Sequence, residues 1–117
     1  MSAATYNFEI EQGTSLIKSI VWKDSNGVVV NLTGYTARMQ IRETVDSDAV
    51  LLELSTDNGN ITITPTQGKI TLEFSPTDTS GEWWTRGRYD LELTSGSDFV
   101  TRLLKGKVTL SKEVTRD

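Results

Sequence analysis

The sequence predicts an all-β chain folded as a single antiparallel β-sandwich of about eight short strands. Three observations carry that class. Apolar and polar residues alternate with period two in most segments. Gly, Asn and Asp punctuate those segments at short intervals, and helical signals are confined to residues 75–81. The clearest segment is residues 35–42, with Tyr35, Ala37, Met39 and Ile41 on one side and Thr36, Arg38, Gln40 and Arg42 on the other. Such alternation marks a strand with one face in a core and one in water.

From the N-terminus, residues 1–4 are small and featureless and are expected to be mobile unless a neighbour holds them. Tyr6, Phe8 and Ile10 alternate with Asn7, Glu9 and Glu11 to give a first strand, which Gln12 and Gly13 end. Residues 14–23 read as a longer strand, with Leu16, Ile20 and Trp22 in one phase and Ile17 and Val21 in the other. That pattern fits either a strand covered on both faces or a bulge that shifts the register. Ser25, Asn26 and Gly27 are a hairpin signal that returns the chain through Val28, Val29 and Val30. Asn31, Leu32, Thr33 and Gly34 then make a corner, with Gly34 expected at positive φ.

Beyond the central strand, residues 44–48 form a polar loop. Residues 49–54 fit a strand or a turn and a half of helix; they are too short and uncapped for a stable helix, so a strand is expected. Residues 56–60 turn the chain into a short strand at 61–64, and residues 65–68 turn it again into 69–74, where Ile70, Leu72 and Phe74 point one way. Ser75 caps a single helical turn that begins with Pro76. Residues 87–94 place Tyr89, Leu91 and Leu93 inward and Arg88, Asp90, Glu92 and Thr94 outward. Residues 95–98 close a hairpin into 99–110, where Leu104, Val108 and Leu110 share a phase with Gly106. A glycine there marks a bulge or a close backbone approach. Residues 111–117 read as a loose polar tail, so the expected organisation is one domain, 1–117, with short mobile ends.

Several function classes drop out on composition. The 117 residues include no Cys and no His, which removes thiol nucleophiles, thiolate sites, the usual general base and the commonest metal ligand. A net charge of -4 argues against a basic nucleic-acid surface. No apolar run approaches the ~20 residues of a membrane span and the N-terminus lacks a signal-peptide core, so a soluble chain made in a cytoplasm is expected, with no membrane partner. Asp46 and Asp48, and the run Asp57, Asn58, Gly59, Asn60, lack the ordered oxygen set of a calcium loop and read as turn formers. Ser15 and Lys18 have the spacing of a Ser-x-x-Lys pair, but in a strand they fall on opposite faces. No catalytic residue, cofactor or metal site is expected, and the chain is not expected to be an enzyme.

Trp83 and Trp84 are the most informative pair. Extending the phase of Tyr89, Leu91 and Leu93 backwards puts Trp83 inward and Trp84 outward. An exposed Trp84 would anchor a protein partner or a sugar; in the plainer alternative, both rings cap an open end of the sandwich. Arg86, Arg88, Arg102, Lys105 and Lys107 give the C-terminal hairpin a local positive charge that discourages edge-to-edge pairing. The triplets at 31–33 and 60–62 fit the N-glycosylation pattern but are chance matches without a secretory signal. Trp84, Trp83, Arg86, Tyr6 and Thr5 form the expected protein-interaction set.

Residues 8–13, 22–27 and 31–42, then 87–93, 101–106 and 108–111, resemble small tailed-phage virion proteins. They are similar to the β-sandwich family that includes the N-terminal domain of phage baseplate upper proteins, and the likeness spans nearly the whole chain. It implies a multi-copy, symmetric virion subunit, made in the host cytoplasm, that docks onto other virion proteins in the tail, baseplate or neck. The chain has no counterpart of the coiled-coil or receptor-binding extension of a baseplate upper protein, which directs the expectation to an adaptor, collar or decoration role. Capsid decoration (cement) is the near alternative. A free-standing carbohydrate-binding module, with Trp84 as stacking platform, is the distant one.

Overall fold

The computed structural model describes residues 3–114, which form nine strands, a 3-10 turn and a one-turn helix. β1 (Ala4–Thr5) and β2 (Phe8–Glu11) run parallel to one edge of β9 (Val100–Ser111). β9 pairs antiparallel with β8 (Arg86–Thr94), β8 with β4 (Thr36–Arg42), and β4 with β5 (Leu52–Ser55). The second sheet is antiparallel, in the order β3 (Leu16–Val21), β7 (Lys69–Phe74), β6 (Ile61–Thr64). The all-β sandwich class holds. The 3-10 turn, Pro65–Gln67, and α1, Pro76–Thr79, lie at the two ends of β7.

Period-two patterning builds the core. Ala37, Met39 and Ile41 of β4 and Tyr89, Leu91 and Leu93 of β8 are buried. They join Leu104, Val108 and Leu110 of β9 and Ile70, Leu72 and Phe74 of β7 in one apolar cluster. Phe8 ties the sheets together, with ring centroids 5.0 Å from Tyr89 on one side and 6.3 Å from Phe74 on the other. The corner before β4 has the expected form. Gly34 sits at φ +83°, Tyr35 N donates to Leu32 O at 3.0 Å, and Leu32 is fully buried.

Three expectations change. β3 is neither covered on both faces nor bulged: its register with β7 is continuous from Leu16↔Phe74 to Val21↔Lys69, and Ile17 is 65 % exposed. The cause is position, since β3 is an edge of a three-stranded sheet whose outer side meets solvent. The run Val28, Val29, Val30 makes only a single bridge, Lys23↔Val29, although the turn before it closes through Gly27 N to Asp24 O at 3.0 Å. The chain ends, as far as they are described, are fastened rather than loose. Ala4 and Thr5 pair with Leu104 and Lys105 of their own chain, Gln12 N donates to Ser111 O at 2.8 Å, and Glu113 N donates to Gln12 Oε1 at 3.1 Å. The mobility expected of residues 1–2 and 115–117 lies outside the described residues.

Gly106 resolves to a close approach. The β8–β9 register shift falls at Leu91/Glu92, opposite the step from Leu104 to Arg102, so the bulge is elsewhere. At Gly106 the edge formed by β1 and β2 breaks and presses inward. A Cβ there would lie against Tyr6 O and 2.9 Å from Asn7 Oδ1. Asn7 Oδ1 takes the Lys107 N–H at 3.0 Å, and Tyr6 N donates to Lys105 O at 2.9 Å, so a side chain and a backbone group maintain the ladder across the break.

Candidate protein-docking surface

The segment between β7 and β8 carries the tryptophans, and its local chemistry fixes them. Ser75 N donates to Asp78 Oδ2 at 2.7 Å, and Asn60 Nδ2 donates to the same oxygen at 2.9 Å, so α1 is tied to the turn before β6. Thr79 is fully buried. Its Oγ1 accepts from Gly13 N at 2.9 Å and its carbonyl accepts from Gln12 Nε2 at 3.1 Å. The same Gln12 Nε2 reaches Glu82 O at 3.0 Å, and Lys112 Nζ donates to that carbonyl as well. Thr85 O accepts from Leu110 N at 2.8 Å. Gln12 is itself buried, so one amide side chain holds this segment and the chain's C-terminal end together.

Between these anchors the two indoles part, in the opposite sense to the sequence expectation. Trp84 is buried in the core and Trp83 is 68 % exposed. The strand phase does not extend back to them because β8 begins at Arg86; residues 82–85 follow loop geometry. Trp84 is therefore not an exposed anchor. Its ring fills the core, and its Nε1 finds no hydrogen-bond acceptor among the described residues. Trp83 stands in solvent between Glu82, pinned by Gln12 and Lys112, and the buried Trp84.

The other expected interaction residues divide. Arg86 is the first residue of β8, exposed, and paired with Thr109, close in sequence to Trp83. Thr5 and Tyr6 lie on the far side of β9, roughly 13 Å along it from Thr109 at ordinary strand rise. Tyr6 is engaged internally, with its ring 4.9 Å from Phe8, Lys18 Nζ 4.8 Å above that ring, and its carbonyl accepting from Tyr89 Oη at 2.6 Å. Burial, with Tyr6 adding to it, pushes the Tyr89 hydroxyl well above its ordinary pKa.

Sequence reasoning missed Phe99, just before β9, and Val100, its first residue, both exposed beside a recess that Ala3, Trp22 and Arg102 also line. The signal was present, in an aromatic–aliphatic pair placed directly after a hairpin turn, between Asp98 and Thr101. Asn58 behaves as the expected turn former, its Oδ1 accepting from Ser55 N and Asn60 N, each at 3.0 Å. Among the described residues no cluster of three or more acidic side chains converges as a metal site, and no helix is long and apolar enough to cross a membrane. No protein-family model and no curated protein matches the chain.

Proposed function

We propose that the chain is a structural subunit of a phage virion, an adaptor of the tail, baseplate or neck that docks onto other virion proteins and performs no catalysis. The observation that carries the docking part is Trp83. A tryptophan two-thirds exposed, on a loop pinned at the residues on both sides, is a pre-organised contact: little further ordering is needed when a partner covers it. Tryptophans in this position dominate interface energetics, and truncating one costs about 2 kcal/mol or more, roughly thirtyfold in Kd. The outer edge of β6 supplies a second mode, strand addition by a neighbour, whereas Asn58 caps that of β5 at Glu53 O and Ser55 N. The virion setting comes from the resemblance at residues 8–13, 31–42 and 87–93. Ala4 and Thr5 belong to the chain's own sheet, so the N-terminal contact expected of a neighbour has no part in the proposal.

The test is recovery of the chain in density-purified particles by quantitative mass spectrometry, with Trp83→Ala compared to the wild type. The expected result is a fixed copy number per particle for the wild type and depletion of Trp83→Ala, with the variant still folded and soluble. Absence of the wild-type chain from particles would overturn the virion assignment. Incorporation of Trp83→Ala at the wild-type level would overturn the role of the loop. A monomer that binds a glycan through Trp83, and no particle, would establish the carbohydrate-module alternative instead.

A further inference from the structure

The outer face of the larger sheet carries rows of side chains that can be read off the strand register. In one row Arg38 lies between Glu92 of β8 and Ser55 of β5, and its Nε meets Glu53 Oε1 at 2.6 Å. In the next, Asp90 faces Gln40 and Lys105, and its Oδ2 lies 3.3 Å from Arg102 Nε. Hydrogen bonds from Gln40 and then Arg38 hold the Glu53 carboxyl below its usual range. Both rows mix the two signs of charge.

The third row does not. Arg42 of β4 is directly opposite Arg88 of β8, and Arg88 is directly opposite Lys107 of β9. Three cations thus stand on adjacent strands, roughly 5 Å apart, where like charges repel. Arg42 is held firmly, but only by neutral acceptors. Its Nη1 donates to Ser47 O at 2.8 Å and Asp48 O at 2.6 Å, and its Nη2 to Gln40 Oε1 at 2.8 Å. Among the described residues no carboxylate lies within 4.0 Å of the charged atoms of Arg42, Arg88 or Lys107. A recess of about 240 Å³ opens on this row, lined by Arg38, Arg42 and Arg88 on the cationic side and by Asp90, already paired with Arg102, and Glu92 on the acidic one. A chain of net charge -4 has acids to spare, yet among the described residues it pairs none of them with these three cations.

We infer that the Arg42–Arg88–Lys107 row is a docking site for an acidic segment of a partner protein, whose carboxylates supply the counter-charge that the fold omits. Charge complementarity fixes this occupant: the row offers two planar guanidinium forks, of which Arg42's is pre-positioned, and an ammonium on a rigid sheet, and a guanidinium fork matches a carboxylate in shape. The acidity of the whole chain disfavours a polyanion as long as nucleic acid, which would meet repulsion beyond the row. The site is distinct from the Trp83 ring, and the inference stands or falls separately from the docking role of that ring.

The row makes two linked demands on Arg88→Glu. In the free protein the substitution turns two repulsions into two opposite-charge pairs, so Tm should rise by about 3–6 °C. The same substitution should abolish binding of an acetylated hexaglutamate peptide. Amide NMR of the wild type titrated with that peptide should show shifts centred on Arg42, Arg88 and Lys107, and the affinity should fall about tenfold between roughly 0.02 and 0.2 M ionic strength. Arg88→Gln, which reverses no charge, should weaken binding without loss of fold. Shifts centred elsewhere, binding unaffected by Arg88→Glu, or a lowered Tm in that variant would each overturn the inference. Inorganic phosphate producing the same shifts at equal or lower concentration would overturn the choice of a carboxylate-bearing partner.

Discussion

Replacing Gly106 with Ala should open one edge of the molecule. Gly106 sits in β9 where β1 gives way to β2, and an added Cβ would meet Tyr6 O, with Tyr6 C and Asn7 Oδ1 each at 2.9 Å. Most of those atoms are backbone, so no rotamer change relieves the overlap and the Tyr6–Asn7 segment must move outward. Three hydrogen bonds depend on its position: Tyr6 N to Lys105 O, Lys107 N to Asn7 Oδ1, and Tyr89 Oη to Tyr6 O. At about 1 kcal/mol each, partly retained after relaxation, their loss together with the residual strain of overpacking gives a destabilisation of about 2–4 kcal/mol. For a chain of this size that is a fall in Tm of roughly 8–15 °C. Urea denaturation measures the total, and hydrogen exchange locates it. The amides of Tyr6 and Lys107 should lose protection while those of β4 keep theirs. A Tm within about 1 °C of the wild type would show that the edge is not pressed against Gly106 and would refute the reasoning.

Trp84→Ala should cost about 3–5 kcal/mol, and Trp83→Ala should stay within about 0.5 kcal/mol, because only the first ring lies in the core; parallel denaturation curves separate them. Gly34→Val should cost about 1–3 kcal/mol, since φ +83° is hostile to a β-branched residue even though the nearest atom to an added Cβ is 3.9 Å away; differential scanning calorimetry reads it. Tyr89 gives an alkaline limit. Its folded pKa is raised by burial, so its contribution to stability is complete below the ordinary tyrosine value of about 10 and is lost as pH climbs above it. Tyr89→Phe, about 1 kcal/mol less stable at neutral pH for want of the bond to Tyr6 O, should lose less stability on going from pH 9 to pH 11 than the wild type, as measured by urea midpoints.

Much of the fold was legible because period-two patterning is a local signal tied to a local geometry. β4, β7 and β8 alternate without interruption, and their buried sets match the sequence phase residue for residue. β6 and the Ser75–Pro76 start of α1 were equally plain. Pairing partners were not. Nothing in residues 4–11 announces a parallel docking onto β9, about a hundred positions away, because a parallel edge strand and an antiparallel one present the same alternation. The apolar Ile17 and Val21 misled for a related reason. Composition suggested cover on both faces, and only the sheet order shows β3 at an edge with nothing over it.

The site was harder than the fold because its two signals depend on relations the sequence does not state. Which tryptophan faces out depends on where regular strand geometry stops, and that is set by Gln12, some seventy residues earlier, which draws Glu82 and Thr79 towards β2. One residue of phase error exchanges the roles of Trp83 and Trp84, since neighbours in an extended chain point to opposite sides. The cation row shows the same dependence across strands. Arg42, Arg88 and Lys107 are unremarkable singly: Arg42 reads as an outward residue of its strand, and Arg88 and Lys107 as edge protection. Register alone brings them side by side, while Arg38 and Arg102, residues of the same kind on the same face, are neutralised by Glu53 and Asp90. A face that forms an ion pair in each of two rows and sets three like charges side by side in the third is less stable than it could be, and Arg88→Glu measures by how much. If that variant is the more stable and no longer binds the acidic peptide, the unpaired row serves something outside the chain at a cost in stability.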